Sequence, residues 1–258
     1  GPLGEDGSLQ GIFRHLGIPL VGPDVLASAA AMDKDVCKRL LRDADLLVAE
    51  GMSFHYAEAE SIDYAAVRNQ LGSPVFIKPA NMGSSVGVSK AETREEFQQA
   101  IQEAFRYDTK IIVEEAIEGR ELECAVLGNA AIECSGIGEV DMSAGFYTYD
   151  AKYESPDAAK VVIPAPDLDN QIIAKLISVA RSAYQTLECE GLSRVDMFLC
   201  EDGRVYVNEI NTLPGFTSIS MYPKLWEEQG LPYGELLDRL IELALERGAR
   251  NSALERQR

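Results

Sequence analysis

The segment from residue 191 to residue 220 constrains the fold most, because its pattern predicts a β-hairpin. Residues 193–200 are rich in β-branched and apolar side chains, residues 201–203 read Glu-Asp-Gly, and residues 204–210 alternate between apolar and polar types. Two such runs joined by a short turn that contains glycine are typical of paired antiparallel strands. The sequence therefore predicts two adjacent strands here.

Three oxygen-bearing side chains are expected to converge on one face of this hairpin. Asp196 lies on the first strand, and Glu209 and Asn211 lie two residues apart on the second, so these two leave their strand on the same side. Two carboxylates and an amide oxygen suit Mg²⁺ or Mn²⁺, whose coordination is usually completed by nucleotide phosphates. A solvated face of an exposed hairpin is the alternative. The polar turn at 211–215, directly after the second strand, favours a site.

A lysine followed by a loop of small residues forms a second chemical feature. Residues 75–78 predict a short buried strand that ends in Lys78, and the loop at 79–87 contains Ser84 and Ser85 among its glycines. Glycines let backbone N–H groups approach phosphate oxygens closely, and serine hydroxyls add donors. The loop does not have the P-loop pattern, and an ordinary hairpin turn is the alternative. We interpret it as a candidate lid over nucleotide phosphates.

The charge balance restricts the partners that the chain can bind. The 258 residues carry 42 acidic against 24 basic side chains, a formal net charge of −18. Nucleic acids and anionic membranes both require a basic face, so neither is expected as the main partner. No apolar run approaches membrane-spanning length. An anionic substrate must then be met by a few local lysines and arginines together with a divalent cation.

The cysteines and histidines do not predict a catalytic centre. The five cysteines show no CxxC pairing, which is typical of reduced cytosolic thiols. The two histidines, His15 and His55, lie far in sequence from any serine or carboxylate arrangement, so we expect them at the surface or in packing.

The rest of the chain alternates helical and strand patterns, which indicates an α/β protein. Helices are predicted around 9–16 and at 28–45, 61–71, 93–105, 167–187, 220–229 and 233–246, and strands at 46–54, 110–116, 121–128 and 128–140. Ser61 is the expected N-cap of one helix, and Thr93 with Glu96 forms a capping box on the next. Residues 141–160 are polar, rich in aromatic side chains and aperiodic, which is typical of a functional loop.

Several motifs in order resemble the D-alanine:D-alanine ligases of the ATP-grasp superfamily. They read GEDGSLQG from residue 4, MDKDVCKRLL from 32, FIKPANMGSSVGVSK from 76, EEAIEGRELECAVLG from 114, FYTYDAKY from 146, RVDMFL from 194 and VNEINTLPGFTSISMYP from 207. The resemblance implies an α/β (α+β) ATP-grasp fold, in which two α+β subdomains grip ATP between antiparallel sheets. It implies a remnant of the N-terminal substrate domain at 1–22, a central subdomain at 23–117 and a C-terminal subdomain at 118–258 with a mobile loop at 141–160, the N-terminal domain being otherwise absent.

The same resemblance implies a reaction and its cofactors. Such an enzyme uses ATP to phosphorylate the carboxylate of one D-alanine, and the amine of a second D-alanine attacks the acyl phosphate to give D-alanyl-D-alanine for peptidoglycan precursors. ATP as co-substrate, two Mg²⁺ or Mn²⁺ ions, a homodimer and a bacterial cytoplasmic location are implied with it.

The resemblance also implies a role for individual residues. The nucleotide phosphates would be held by Lys34 and Lys78, covered by Ser84 and Ser85, and reached from the mobile loop by Lys152, with Tyr153 closing over substrate. The adenine and ribose cleft would be formed by Glu114, Glu115, Ile117 and Glu121. The metal ions would be bound by Asp196, Glu209 and Asn211. Arg194 and the Gly215 amide would stabilise the oxyanion, and Ser220 with Met221 would bind the second D-alanine.

Two other functions stay open from the sequence. A D-alanine:D-lactate ligase of the vancomycin-resistance type is the nearer, although Tyr153 favours the dipeptide product because the resistance enzymes typically carry histidine in that loop. A nucleotide-binding module without ligase turnover is the other. We expect it if these residues are the whole molecule, since the family's N-terminal domain, with the acidic residue that binds the first D-alanine, is not part of the sequence. If that domain is only missing from the given chain, the full enzyme is expected to be active.

Overall fold

The computed structural model describes residues 1–141 and 160–255, and it has a mixed α/β architecture with two antiparallel sheets. The helices are α1 (Ser8–Leu16), α2 (Val25–Met32), α3 (Lys34–Asp43), α4 (Tyr64–Leu71), α5 (Arg94–Ala104), α6 (Asn170–Thr186), α7 (Met221–Glu228) and α8 (Tyr233–Ser252), with a 3₁₀ helix at Tyr56–Ser61. Over the described residues, no helix combines the length and the apolar character needed to cross a membrane.

The strands form one sheet of four and one of five. They are β1 (Gly51–His55), β2 (Val75–Pro79), β3 (Ser89–Ala91), β4 (Lys110–Glu115), β5 (Arg120–Gly128), β6 (Glu133–Asp141), β7 (Lys160–Val162), β8 (Gly191–Leu199) and β9 (Val205–Asn211). The first sheet has the order β1-β4-β2-β3 and the second has the order β7-β6-β5-β8-β9. Two separate antiparallel sheets confirm the fold class expected from the sequence.

The four-stranded sheet has one apolar face and one polar face. Ile111 and Val113 of β4 are fully buried and pack with Val67 of α4 and Phe97 of α5. Because side chains alternate along a strand, Glu114 leaves β4 on the opposite face, where Lys78 of the neighbouring β2 also lies. The apolar face holds the sheet to its helices, and the polar face carries the charged side chains of Lys78 and Glu114.

The five-stranded sheet is covered on both faces. Leu176 and Ala180 of α6 pack on one face, and Tyr222 and Trp226 of α7 belong to the apolar cluster on the other. Burial on both faces explains why the sequence of β5 ends in a continuous apolar run. Part of the face under α7 carries polar side chains instead of apolar ones, and the candidate site lies there.

Several predicted boundaries were wrong. The helix expected at 28–45 is two helices, α2 and α3, because Asp33 adopts an extended backbone and its carboxylate accepts hydrogen bonds from Asp35 N and Val36 N, both at 3.1 Å. The strand expected at 46–54 begins only at Gly51. The helix expected at 61–71 begins at Tyr64 with Asp63 as its N-cap, since the 3₁₀ helix occupies the residues up to Ser61.

Other local predictions are confirmed. Thr93 and Glu96 form the expected capping box at the start of α5, and β8 and β9 form the expected hairpin. Both histidines are exposed, and all five cysteines are free thiols.

Candidate functional site

The predicted metal ligands lie on directly paired positions of the hairpin. Asp196 of β8 pairs with Glu209 of β9, and Arg194 pairs with Asn211. On the other side of β8, Asp196 pairs with Glu123 of β5. Three carboxylates therefore cross three neighbouring strands in one row, with Arg194 and Asn211 in the row beside it.

Arg194 is held by two of these carboxylates. Its Nε and Nη2 donate to Asp196 Oδ1 and Oδ2 at 2.7 and 2.6 Å, and its Nε also lies 3.0 Å from Glu123 Oε2. The three side chains are largely or fully buried. Burial would lower the pKa of Arg194, but Asp196 and Glu123 raise it above the usual arginine value. The guanidinium is therefore a fixed positive charge in a restricted position.

The loop after β9 brings Gly215 against Ser220. A Cβ added at Gly215 would lie 2.7 Å from Ser220 Oγ, which is closer than real Cβ atoms approach. The same Oγ accepts a hydrogen bond from Thr217 N at 3.1 Å. The side chain of Asn211 turns towards this loop, and its Oδ1 accepts from Leu213 N at 3.2 Å. The predicted oxyanion donor and the predicted substrate residue are thus direct neighbours.

Met221 begins α7 directly after Ser220. Its side chain is only 4% exposed and belongs to the apolar cluster between α7, α8 and the sheet. A Cβ at Gly138 of β6 would come within 2.5 Å of Met221 Sδ, so that glycine makes room for the side chain. A substrate at this position would therefore meet the backbone of Met221.

Lys34 contacts both the loop after β2 and the β8–β9 hairpin. The break at Asp33 makes Lys34 the first residue of α3, and its backbone N–H bonds to Ala80 O at 3.0 Å. Its Nζ donates to Met82 O at 2.6 Å and lies 3.8 Å from Glu209 Oε2. The predicted phosphate lysine and a predicted metal ligand thus lie within ion-pair distance of each other.

Lys78 belongs to a buried ion-pair network that also contains Lys38. Lys78 Nζ lies 2.7 Å from Glu114 Oε2, and Lys38 Nζ of α3 lies 2.5 Å from Glu114 Oε1. Sequence analysis did not identify Lys38 as a site residue. The available signal was its position one helical turn after Lys34, which places both lysines on one side of α3.

The charges of this network set one another's pKa values. Burial would raise the pKa of Glu114, but Lys38 and Lys78 lower it to about 2. Burial lowers the pKa of Lys38 despite the attraction of Glu114. Burial also acts to lower the pKa of Lys78, but Glu114, Glu209 and Glu121 outweigh it and raise the value. Among the carboxylates of the β8–β9 hairpin, Glu209 therefore contributes to the charge environment of Lys78.

The predicted adenine and ribose residues lie along the connection from β4 to β5. Glu115 Oε1 accepts from Glu50 N at 2.8 Å, so this carboxylate fastens the segment before β1. Ile117 lies partly buried in the turn between the two strands. Glu121 lies on β5, opposite Phe198 of β8. Glu114 faces Lys38 and Lys78 on the polar face of the first sheet, and its predicted role at the adenine and ribose stays a prediction.

The loop between β2 and β3 carries the predicted lid serines. Ser84 and Ser85 have φ values of 54° and 59°, a left-handed conformation that few non-glycine residues adopt. Ser84 is exposed. Lys152 and Tyr153 lie outside the described residues, so their roles stay predictions. Among the described residues, no cluster of three or more histidine, cysteine, aspartate or glutamate side chains is arranged to hold a metal alone.

Comparisons with known proteins agree with this architecture. The family described as "D-ala D-ala ligase C-terminus" matches residues 40–242. The chain is 57% identical over 254 residues to a curated relative from Shouchella clausii named D-alanine–D-alanine ligase, which covers 98% of this chain and 69% of the relative.

Two solved structures also resemble the chain closely. A D-alanine-D-alanine ligase from Coxiella burnetii superposes with a TM-score of 0.87 at 39% identity, covering 98% of this chain and 67% of that one. The VanG D-Ala:D-Ser ligase from Enterococcus faecalis superposes with a TM-score of 0.85 at 41% identity, covering 93% of this chain and 69% of that one.

Proposed function

The chain belongs to the D-alanine:D-alanine ligase family, and from that premise we propose that its described residues perform the family's ligation. In this reaction ATP phosphorylates the carboxylate of one D-alanine, and the amine of a second displaces phosphate to give D-alanyl-D-alanine for peptidoglycan synthesis. The observation that carries the proposal is the close approach of Lys34 Nζ to Glu209 Oε2, at 3.8 Å. It supports the proposal because a lysine assigned to phosphate and a carboxylate assigned to the metal then border one nucleotide cleft.

Phosphoryl transfer depends more on positioning and charge neutralisation than on covalent help from the protein. We assign the phosphates of ATP to Lys34 and Lys78, with Ser84 and Ser85 covering them. The adenine and ribose are assigned to Glu114 and Glu115 of β4, Ile117 of the following turn and Glu121 of β5. Lys152 would add a further charge from the adjoining loop.

The donor set on the hairpin fits a divalent cation. Asp196, Glu209 and Asn211 offer hard oxygen atoms, and no thiol or imidazole stands among them. These residues would hold Mg²⁺ or Mn²⁺, two ions in all, together with phosphate oxygens. When bound, the ions neutralise charge on the transferring phosphoryl group. The role of Arg194 is then to keep the buried carboxylates oriented while its own charge faces the reaction.

The ligation step creates negative charge on the carbonyl oxygen of the first D-alanine. Arg194 is fixed by Asp196 and Glu123 and is a charge-assisted donor for that oxygen, together with the backbone N–H of Gly215. Ser220, directly beside Gly215, would bind the second D-alanine with the Met221 backbone. Closure of the site keeps water from hydrolysing the acyl phosphate.

The second substrate distinguishes this proposal from its nearest alternatives. The likeness to the VanG D-Ala:D-Ser ligase favours considering D-serine as the second substrate, and the sequence alternative is D-lactate. Incubation of the protein, carried together with the family's N-terminal domain, with ATP, Mg²⁺ and D-alanine should release phosphate and form the dipeptide. A product containing D-lactate or D-serine in preference to the dipeptide would support a different ligase. ATP binding without D-alanine-dependent phosphate release would support a nucleotide-binding module.

We further propose that the protein works as a homodimer in the bacterial cytoplasm, as expected from the family resemblance. Light scattering on the purified chain tests the homodimer, for which it should give a mass of about twice the 28.2 kDa of one chain. A mass equal to that of a single chain would contradict the dimer.

A further inference from the structure

The buried network of Lys38, Glu114 and Lys78 contains one carboxylate between two ammonium groups. The Glu114 oxygens divide between the lysines, with Oε1 at 2.5 Å from Lys38 Nζ and Oε2 at 2.7 Å from Lys78 Nζ. The side chains of Lys38 and Glu114 are 4% and 2% exposed, whereas that of Lys78 is 16% exposed. Only Lys78 is open enough to reach a ligand in the cleft.

Lys38 changes the net charge of the network. Lys78 and Glu114 alone form a neutral pair, and such a pair attracts a polyphosphate weakly. With Lys38 present, the three groups carry a net charge of +1. In a poorly solvated site a charge difference of this kind affects binding much more than it does in water.

The geometry adds a second effect. A carboxylate with two free oxygens can hold one lysine with both of them and draw it away from the cleft. Lys38 occupies Oε1, so Glu114 holds Lys78 with Oε2 alone. Lys38 thus limits the hold of Glu114 on the phosphate lysine.

We propose that Lys38 is a positioning residue for the nucleotide phosphates, which acts through Glu114 to keep the positive charge of Lys78 directed at the cleft. This inference rests on the proposed function, in which Lys78 binds phosphate. Lys38 is too deeply buried to touch the nucleotide itself. The inference therefore differs from a role as a further phosphate ligand.

The competing explanation is that the Lys38–Glu114 salt bridge only stabilises the fold. Binding of ATP and binding of adenosine distinguish this explanation from the proposal. If Lys38 only supported the fold, its loss would weaken binding of ATP and of adenosine together. If Lys38 acts on the phosphate charge, its loss weakens binding of ATP and leaves binding of adenosine unchanged, since adenosine has no phosphate.

The test compares both affinities by isothermal titration calorimetry on the 258-residue chain. Lys38→Met should weaken ATP binding about tenfold, as expected for the loss of one buried charge interaction, with adenosine affinity unchanged. Lys38→Arg should restore most of the ATP affinity because it keeps the charge. Arg39→Met is the matched control, since it removes one positive charge from an exposed neighbouring position on α3; it should bind both ligands like the parent chain.

A double variant keeps the test decisive if Lys38→Met folds poorly. Lys38→Met combined with Glu114→Gln removes the buried carboxylate as well and leaves Lys78 with its full charge. The ratio of ATP affinity to adenosine affinity should then recover towards that of the parent chain. Because ATP and adenosine share the adenine base, this ratio also corrects for any direct effect of Glu114 on binding of the adenine.

Three results would overturn the inference. They are an unchanged ATP affinity in Lys38→Met, an equal loss of ATP and adenosine affinity, and no recovery of the ratio in the double variant. Failure of the phosphate assignment on which the inference rests gives a different result, because Lys78→Met would then bind ATP as well as the parent chain does. The two failures are therefore distinguishable.

Discussion

Asp196 and Glu209 are paired directly across the hairpin of β8 and β9, and both oxygens of Asp196 accept hydrogen bonds from Arg194. The candidate metal ligands and the candidate oxyanion donor therefore form one unit. A cation bound at Asp196 shares this carboxylate with the guanidinium. Substitution of a metal ligand should therefore change the Mg²⁺ dependence of turnover, whereas substitution of Arg194 should change the rate of the ligation step.

Glu209→Ala should abolish Mg²⁺-dependent turnover and leave the fold intact, because the side chain is 39% exposed and is not part of the apolar core. The measurement is ATP affinity and D-alanine-dependent phosphate release over a range of Mg²⁺ concentrations. Glu201→Ala, in the exposed turn of the same hairpin, is the control and should respond to Mg²⁺ like the parent chain. Unchanged turnover in Glu209→Ala would refute the metal assignment, and we expect the same loss for Asp196→Ala.

Arg194→Lys should lower the turnover number by about 10² to 10³, the usual effect of losing one donor to a developing oxyanion. Lysine keeps the positive charge but cannot reproduce the two-pronged contact with Asp196. ATP affinity should change little, since Arg194 is assigned to the later step. Steady-state kinetics with D-alanine and ATP varied separately measure both effects.

The hairpin provides a matched control for that variant. Arg204 on the same hairpin contacts Asp202 through its Nε at 2.6 Å, with the same spacing along the chain, but both side chains are exposed. Arg204→Lys should therefore leave the turnover number near that of the parent chain. Equal losses of turnover in Arg194→Lys and Arg204→Lys would show that replacing arginine by lysine disturbs the hairpin itself.

Local patterns predicted a large part of this fold. The alternation of residues 193–210 and its turn were sufficient to pair β8 with β9, and Thr93 with Glu96 identified the start of α5. These features depend on neighbours in sequence. The break at Asp33 was missed although its carboxylate caps α3 locally, because the continuous helical spacing on both sides hid the cap. The bond from Lys34 N to Ala80 O, which also holds the break, joins distant segments and leaves no local signal.

The candidate site was predictable only where its residues lie close together in the chain. Asp196, Glu209 and Asn211 were placed by strand geometry alone. Lys38 was missed because its partner Glu114 lies on a strand far along the sequence, and a lysine on a helix is exposed in most proteins. Pairings between distant segments leave no periodic signal. The sequence therefore could not show that Glu114 is paired with both Lys38 and Lys78.

Gly215→Ala should raise the KM for D-alanine at the second site, because the new Cβ would meet Ser220 Oγ at 2.7 Å and displace it. ATP affinity should stay the same, since the phosphate lysines are not involved. Initial rates with D-alanine varied at saturating ATP measure the effect. Gly234→Ala, where a Cβ would meet nothing within 4 Å, is the control. An unchanged KM in Gly215→Ala would remove Ser220 from the second substrate site.

Glu114→Gln should reduce the free energy of unfolding at neutral pH, because it leaves Lys38 and Lys78 buried without their carboxylate. Removing one partner from a buried ion pair costs about 3 to 5 kcal/mol. The pKa of Glu114 is lowered from 4.5 to about 2 in the folded protein, so the unfolded chain binds more protons between these pH values. The stabilisation from Glu114 is therefore complete above about pH 5 and is lost as the pH falls towards 2.

Urea unfolding of the parent chain and of Glu114→Gln at several pH values between 7 and about 3 tests this linkage. The difference between the two free energies of unfolding should be largest near pH 7 and shrink steadily in acid, since protonated Glu114 resembles glutamine in charge. Glu60→Gln, an exposed carboxylate in the 3₁₀ helix, is the control and should differ little from the parent chain throughout. A difference that stays constant with pH would mean that Glu114 stabilises the fold by packing and not through its charge.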